Sequence, residues 1–151
     1  MDTPMESSPY RRLMVMASLS VVSMYLLMYA MVNSVANALA NLNQLYMAIL
    51  MAAPMVLIEL VLMGAMYRNK KLTIMVAAAS VVALAAFFIG IRRQTAIGDR
   101  QFLRSMIPHH AAAILMCEEA SLQGAAIKTL CAGIISRQEA EIEEMKVLLG
   151  R

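Results

Sequence analysis

Two histidines, His109 and His110, stand side by side in Met106-Ile107-Pro108-His109-His110, and the chain has no others. The Met106 thioether lies three and four residues upstream of them, and Met116 and Cys117 follow. Neutral or soft donors therefore gather on about three helical turns. Imidazole and thioether together suit Cu(I) first, with zinc and silver behind it.

Distance limits which donors one ion can share. Met116 and Cys117 lie seven residues beyond the histidines, about 10 Å along a helix axis, too far to complete the same coordination sphere. The expected primary site is Met106 with His109 or His110 and Met145, and Met116 with the cysteines is at most a second one. A histidine pair at a bend made by Pro108 is also compatible with two hydrogen-bonded side chains that bind nothing.

The element that must position these groups is a helical hairpin. Gly98-Asp99 reads as a helix start with Asp99 as N-cap. Phe102, Leu103, Met106, Ile107, Ile114, Leu115 and Met116 then recur at helical spacing until Gly124. A second helix carries Ile127, Leu130, Cys131, Ile134, Ile135, Ile142, Met145, Leu148 and Leu149 on an apolar stripe.

Folding about Gly124 makes residues equidistant from it neighbours. Cys117 and Cys131 are each seven residues away, so they face one another, as a disulfide in an oxidising compartment, as free packed thiols, or as a thiolate pair holding metal with Met116. The same construction sets His109 and His110 beside Arg137 and Gln138. The Gln138 amide could orient an imidazole, or it could be a polar residue that fixes helix register.

Composition describes what the hairpin hangs from. With 61% hydrophobic and 15% charged residues among 151, and a mean hydropathy of +0.67, the chain is too apolar for a soluble domain. Three runs, at about 13–32, 46–66 and 72–91, are long enough to cross roughly 30 Å of hydrocarbon as helices. The expected division is a membrane domain over 1–93 and an extracytoplasmic hairpin over 98–151.

Arg11 and Arg12 precede the first run, and Arg68, Lys70 and Lys71 occupy the second loop, whereas the first loop, Asn33 to Gln44, is uncharged. The positive-inside rule then places the N-terminus in the cytoplasm and the hairpin in the periplasm. Arg92, Arg93, Arg100 and Arg104 on the far side run against that rule. Ala38-Leu39-Ala40 offers a signal-peptidase pattern, but the preceding run exceeds a signal h-region, and an uncleaved signal anchor is expected.

Within the spans, Glu59 falls in the middle of the second run, where a carboxylate needs a partner or a cavity. Met47, Met51, Met55, Met63 and Met66 follow a drifting stripe on that helix, and Met24, Met28 and Met31 form another on the first. These serve either as a Cu(I) relay or, the favoured reading, as flexible packing residues. Pro54 and Gly64 suggest a kink and a close helix approach. Ala77-Ala78-Ala79-Ser80 and the Ala83 to Ala86 stretch mark the third span as a surface for another subunit.

The stretch Asp99, Phe102, Met106-Ile107-Pro108-His109-His110, Ile114, Met116, then Gln138, Glu141-Ile142 and Met145 resembles the bacterial domain of unknown function 305, a ferritin-like helical family. The resemblance covers about the last third of the chain, departs from the family's pattern at Ala111, and includes one hairpin rather than two. It implies an extracytoplasmic copper- or silver-handling role carried by Met106, His109, His110, Met116 and Met145. It does not imply di-iron chemistry, because no Glu-x-x-His pair is present.

The reading that results is an all-α integral membrane protein of the bacterial inner membrane, with three transmembrane helices and a C-terminal ferritin-like hairpin. Its expected function is Cu(I) binding for copper or silver tolerance or delivery. The alternative is an accessory structural subunit of a membrane complex. No nucleophile with an evident base and no nucleotide-binding glycine motif occurs, so no enzymatic activity is expected. The bilayer is the expected partner, nucleic acid is not, and a hairpin of about 50 residues should associate to bury its core.

Overall fold

The computed structural model describes residues 7–150, and among these the chain is all-helical, with five α-helices and no strand. In order they are α1 (Ser7–Leu27), α2 (Leu42–Leu62), α3 (Lys70–Arg92), α4 (Asp99–Glu119) and α5 (Ala125–Leu149), with short 3-10 turns at Met28–Met31, Val35–Asn37 and Gly64–Met66. Three helical stretches, Pro9–Met31, Leu42–Leu62 and Lys70–Arg92, are long and apolar enough to cross a membrane, at mean hydropathies of 1.9, 2.3 and 2.6. The second helix begins and ends four residues earlier than the expected run of 46–66. Its N-terminus takes in Leu42 to Leu45, and Met63 to Met66 leave the helix for a turn. Glu59 consequently lies in the last turn of α2 and not in its middle.

The chain forms two compact units, one made of α1 with Asn43–Thr95, the other of Met28–Leu42 with the chain from Ala96 onward. In the first, Tyr10, Leu13, Val56, Leu60 and Tyr67 form the buried core. Ala48, Ala52 and Ala53 are buried on α2, and small side chains there let the helices approach. The Tyr10 hydroxyl lies 2.9 Å from the Asn69 carbonyl oxygen and 2.8 Å from Thr73 Oγ1, which joins the start of α1 to the α2–α3 turn. The Tyr10 and Tyr67 rings sit 5.2 Å apart. Asn69 caps α3 by accepting from the Leu72 N–H at 3.1 Å. At the other end, Tyr46 donates to the Thr95 carbonyl at 3.0 Å, and the Asn43 and Gln94 amides pair reciprocally. Large apolar side chains such as Leu19, Leu26, Val61, Ile74, Val82 and Phe88 are exposed on these three helices.

The second unit is the hairpin with a cover. Ile107, Ala111 and Ile114 on α4 meet Ile142 and Met145 on α5 in a core that includes the fully buried Ile107 and Ile114. The spacing of three and four residues puts these side chains on one face of each helix. Val32 and Leu39, from the connection between α1 and α2, pack against this core. Tyr29 and the Asn41 amide of that connection both donate to the Leu39 carbonyl, and Asn37 donates to Asn33 Oδ1 while its own Oδ1 is buried and meets no donor. The Leu42 N–H reaches Gln101 Oε1 on α4 at 3.1 Å. The uncharged loop of the sequence is thus a packed part of the hairpin unit. Gly98, in extended conformation, takes the N-cap position of α4, and Asp99 stands one place inside it. Its carboxylate there still complements the positive helix end.

Candidate functional site

His110 is buried, 8% exposed, on the face of α4 that meets α5. Its Nδ1 lies 2.9 Å from the Met106 carbonyl oxygen one turn earlier, and its Nε2 lies 2.7 Å from Glu141 Oε2 on α5. A carbonyl oxygen can only accept, so Nδ1 carries hydrogen and donates it to Met106. Nε2 then faces an oxygen of a carboxyl group. At that separation the two atoms share one hydrogen in a short hydrogen bond. The Glu141 side chain is 54% exposed, so the carboxylate stands at the solvent edge of the pair while the imidazole is inside.

The other predicted residues distribute around this pair. Met145 is a buried member of the hairpin core and Met106 packs against that core, which brings two thioethers into the cluster on whose face His110 lies. His109 is exposed, its ring centroid 6.1 Å from that of His110 and tilted at 62°. Met116 is exposed, two turns further along α4, apart from the histidines as its spacing requires.

Cys117 and Cys131 are joined in a disulfide with their Cα atoms 5.3 Å apart. Their sulfurs are therefore not available as a thiolate pair in this state. Among the described residues no group of three or more His, Cys, Asp or Glu side chains is placed to hold a metal ion.

Gln138 does not reach an imidazole. Its Oε1 is buried and meets no hydrogen-bond donor, and the partner of His110 is Glu141, nearly one turn further on. Glu141 carried no role in the sequence reading although it stands in the Gln138-x-x-Glu141-Ile142-x-x-Met145 segment. Its signal was there: positions 138, 141, 142 and 145 share one helix face, and Glu141 is the ionisable member beside two core residues.

In the first unit, Glu59 accepts a hydrogen bond from the Tyr67 hydroxyl at 3.3 Å. Burial, and then the Glu59 carboxylate, push the Tyr67 phenol above its ordinary value of 10.0. The α2 methionines Met47, Met51 and Met55 and the turn residues Met63 and Met66 are all exposed, so they face away from the unit's interior.

These features define a class: an all-helical chain with three helices of membrane-crossing character and a disulfide-closed hairpin that presents a buried histidine to a carboxylate. The Domain of unknown function (DUF305) matches residues 58–149, and the chain belongs to that family. The match begins at Ile58, so the family's unit takes in the end of α2 and all of α3 as well as the hairpin, more than the last third on which the resemblance rested. A relative, "Uncharacterized protein L153" of Acanthamoeba polyphaga mimivirus, is 32% identical over 119 residues, covering 78% of this chain and 76% of its own length. No solved structure matches the chain significantly.

Proposed function

We propose that this protein is a membrane-tethered Cu(I)-binding protein that serves copper or silver tolerance or delivery. The observation that carries the reading is the setting of His110. Its Nδ1 is held by the Met106 carbonyl, which directs Nε2 toward α5, and a histidine oriented by a backbone carbonyl through one nitrogen is the usual form of a metal-binding imidazole. Met106 and Met145 supply thioethers in the adjoining cluster, and His109 stands at the exposed flank. One or two imidazoles with two thioethers fit Cu(I) or Ag(I) and fit zinc poorly. A bound ion would supply no catalysis; the chain's own residues hold it, with Glu141 as the group that occupies Nε2 otherwise.

The placement that goes with this function is the bacterial inner membrane, with the N-terminus in the cytoplasm and the hairpin in the periplasm. The disulfide supports an oxidising compartment for the hairpin. Val32 and Leu39 support a pair of crossings, α2 and α3, between the α1–α2 connection and the hairpin, because the connection can pack on the hairpin only if both lie on the same side. The structural-subunit reading has one observation in its favour: Phe102, Ile127, Leu130, Val147 and Leu148 are exposed on the hairpin, and such side chains favour association.

Metal analysis of the full chain, purified in detergent after exposure to Cu(I), Ag(I) and Zn(II) in parallel, tests the proposal. Retention of copper and silver with little zinc is expected. A chain that retains none of the three leaves the structural-subunit reading in front.

A further inference from the structure

In the first unit an apolar groove of about 520 Å³ runs between α1, α2 and α3, bounded by Met14, Ala17, Ala52, Leu72, Ala79 and Ala83 among others. The polar residue in its wall, Ser80, turns its hydroxyl onto the Val76 carbonyl at 2.9 Å, so the groove presents hydrocarbon alone. On α3 it extends from Leu72 to Ala83, about 16 Å at the helical rise. That is roughly one leaflet, half of the hydrocarbon thickness of about 30 Å.

Basic residues stand close to the Met14 and Leu72 end of the groove, beyond its lining side chains. Arg11 stands three residues before Met14, and Lys71 adjoins Leu72 and lies four residues before Met75, which also lines the groove. The Tyr10 bonds to Asn69 and Thr73 bring the start of α1 to this same end, so Arg11, Arg12, Arg68, Lys70 and Lys71 share it. All five are exposed. Among the described residues the ion pairs are His110 with Glu141 and Lys146 with Glu143, and neither involves these cations.

We propose that the groove binds one anionic phospholipid, an acyl chain lying along α3 and the phosphate against Arg11 and Lys71. The inference rests on the membrane-anchor reading of α1 to α3. Apolar walls accept the chain, and clustered basic side chains at the water boundary select a negative headgroup over a zwitterionic one.

The test uses the full chain reconstituted in vesicles of phosphatidylcholine and phosphatidylglycerol, then released into mild detergent for native mass spectrometry. Wild type is expected to retain one phosphatidylglycerol, several-fold in preference to phosphatidylcholine. The Arg11→Gln/Lys71→Gln variant should lose the preference while keeping its helical content, and Ala79→Leu, which fills the groove with the cations intact, should lose the lipid. The double variant leaves the apolar packing unaltered, so it decides the matter even if Ala79→Leu does not fold. Equal retention of the two lipids by wild type overturns the proposal, as does a lipid-free dimer. Carbonate extraction of the chain from the vesicles is the separate control: a chain that washes off defeats the anchor reading itself, whereas one that stays without lipid preference defeats only this inference.

Discussion

A buried imidazole between a backbone carbonyl and a carboxyl group is a specific chemical statement, and it makes different predictions for neighbouring residues. Glu141→Ala removes the partner of a ring nitrogen on a side chain that is 10% exposed; an unsatisfied buried polar group costs about 1–3 kcal/mol. Denaturant titration should show that loss, and wild-type stability in the variant would mean that Nε2 finds another partner. Copper affinity should survive this substitution, since Glu141 occupies the nitrogen that the metal would use. Gln138→Ala, in contrast, touches neither imidazole, so its effect on Cu(I) affinity should fall short of the roughly 10–100-fold typical of groups that orient a metal ligand.

At the scale of elements, the hairpin owes its geometry to one apolar seam and one covalent tie. Replacing Ile107 or Ile114 with Ala removes a side chain that is at most 1% exposed and should cost about 2–5 kcal/mol. Replacing both cysteines with Ser frees a loop of about 15 residues and should cost roughly 3 kcal/mol in the chain-entropy model; melting of the variant and of reduced wild type should coincide. The α2–α3 turn carries a pH signature. Because the Tyr67 phenol is raised in the folded state, its contribution is complete below about pH 10 and is lost as pH rises through the folded value. Tyr67→Phe should flatten the alkaline limb of stability, and an unchanged limb would assign it elsewhere. The helices and the cysteine pair were legible because apolar periodicity and equal distance from Gly124 determine them. The partner of His110 was not. Equal distance from Gly124 holds for the cysteine pair, but at His110 the contact falls three residues further along α5, on Glu141 and not Gln138, because a cross-helix contact goes to whichever residue of a 3.6-residue turn faces the partner and not to the equidistant one. Glu59 was misplaced for a related reason: hydropathy continues through Met63 and Met66, whereas the helix stops at Leu62.

For the whole molecule, the apolar runs and the amphipathic tail of the sequence suggest a cut between residues 93 and 98, whereas one of the two compact units takes Met28–Leu42 together with the chain from Ala96 onward. The sequence did not show that the α1–α2 connection belongs with the tail. That membership depends on Val32 and Leu39 meeting a core formed by residues far along the chain, and no local pattern encodes such a meeting. The consequence is topological. In spheroplasts, a protease or a membrane-impermeant label applied from outside should reach the hairpin and its disulfide and should miss the Arg68 to Lys71 turn. Labelling of that turn alone would invert the orientation and remove the periplasmic role.

The central claim, a soft-metal site built on the His110 face of the hairpin, is tested most directly by Cu(I) competition titration of the full chain against a chromophoric chelator. Wild type should take Cu(I) from the chelator, and the His109→Ala/His110→Ala variant should not. Met145→Ala should weaken binding in a chain that still folds. Equal Cu(I) affinity in wild type and the double-histidine variant would contradict the account and leave the hairpin as a docking module.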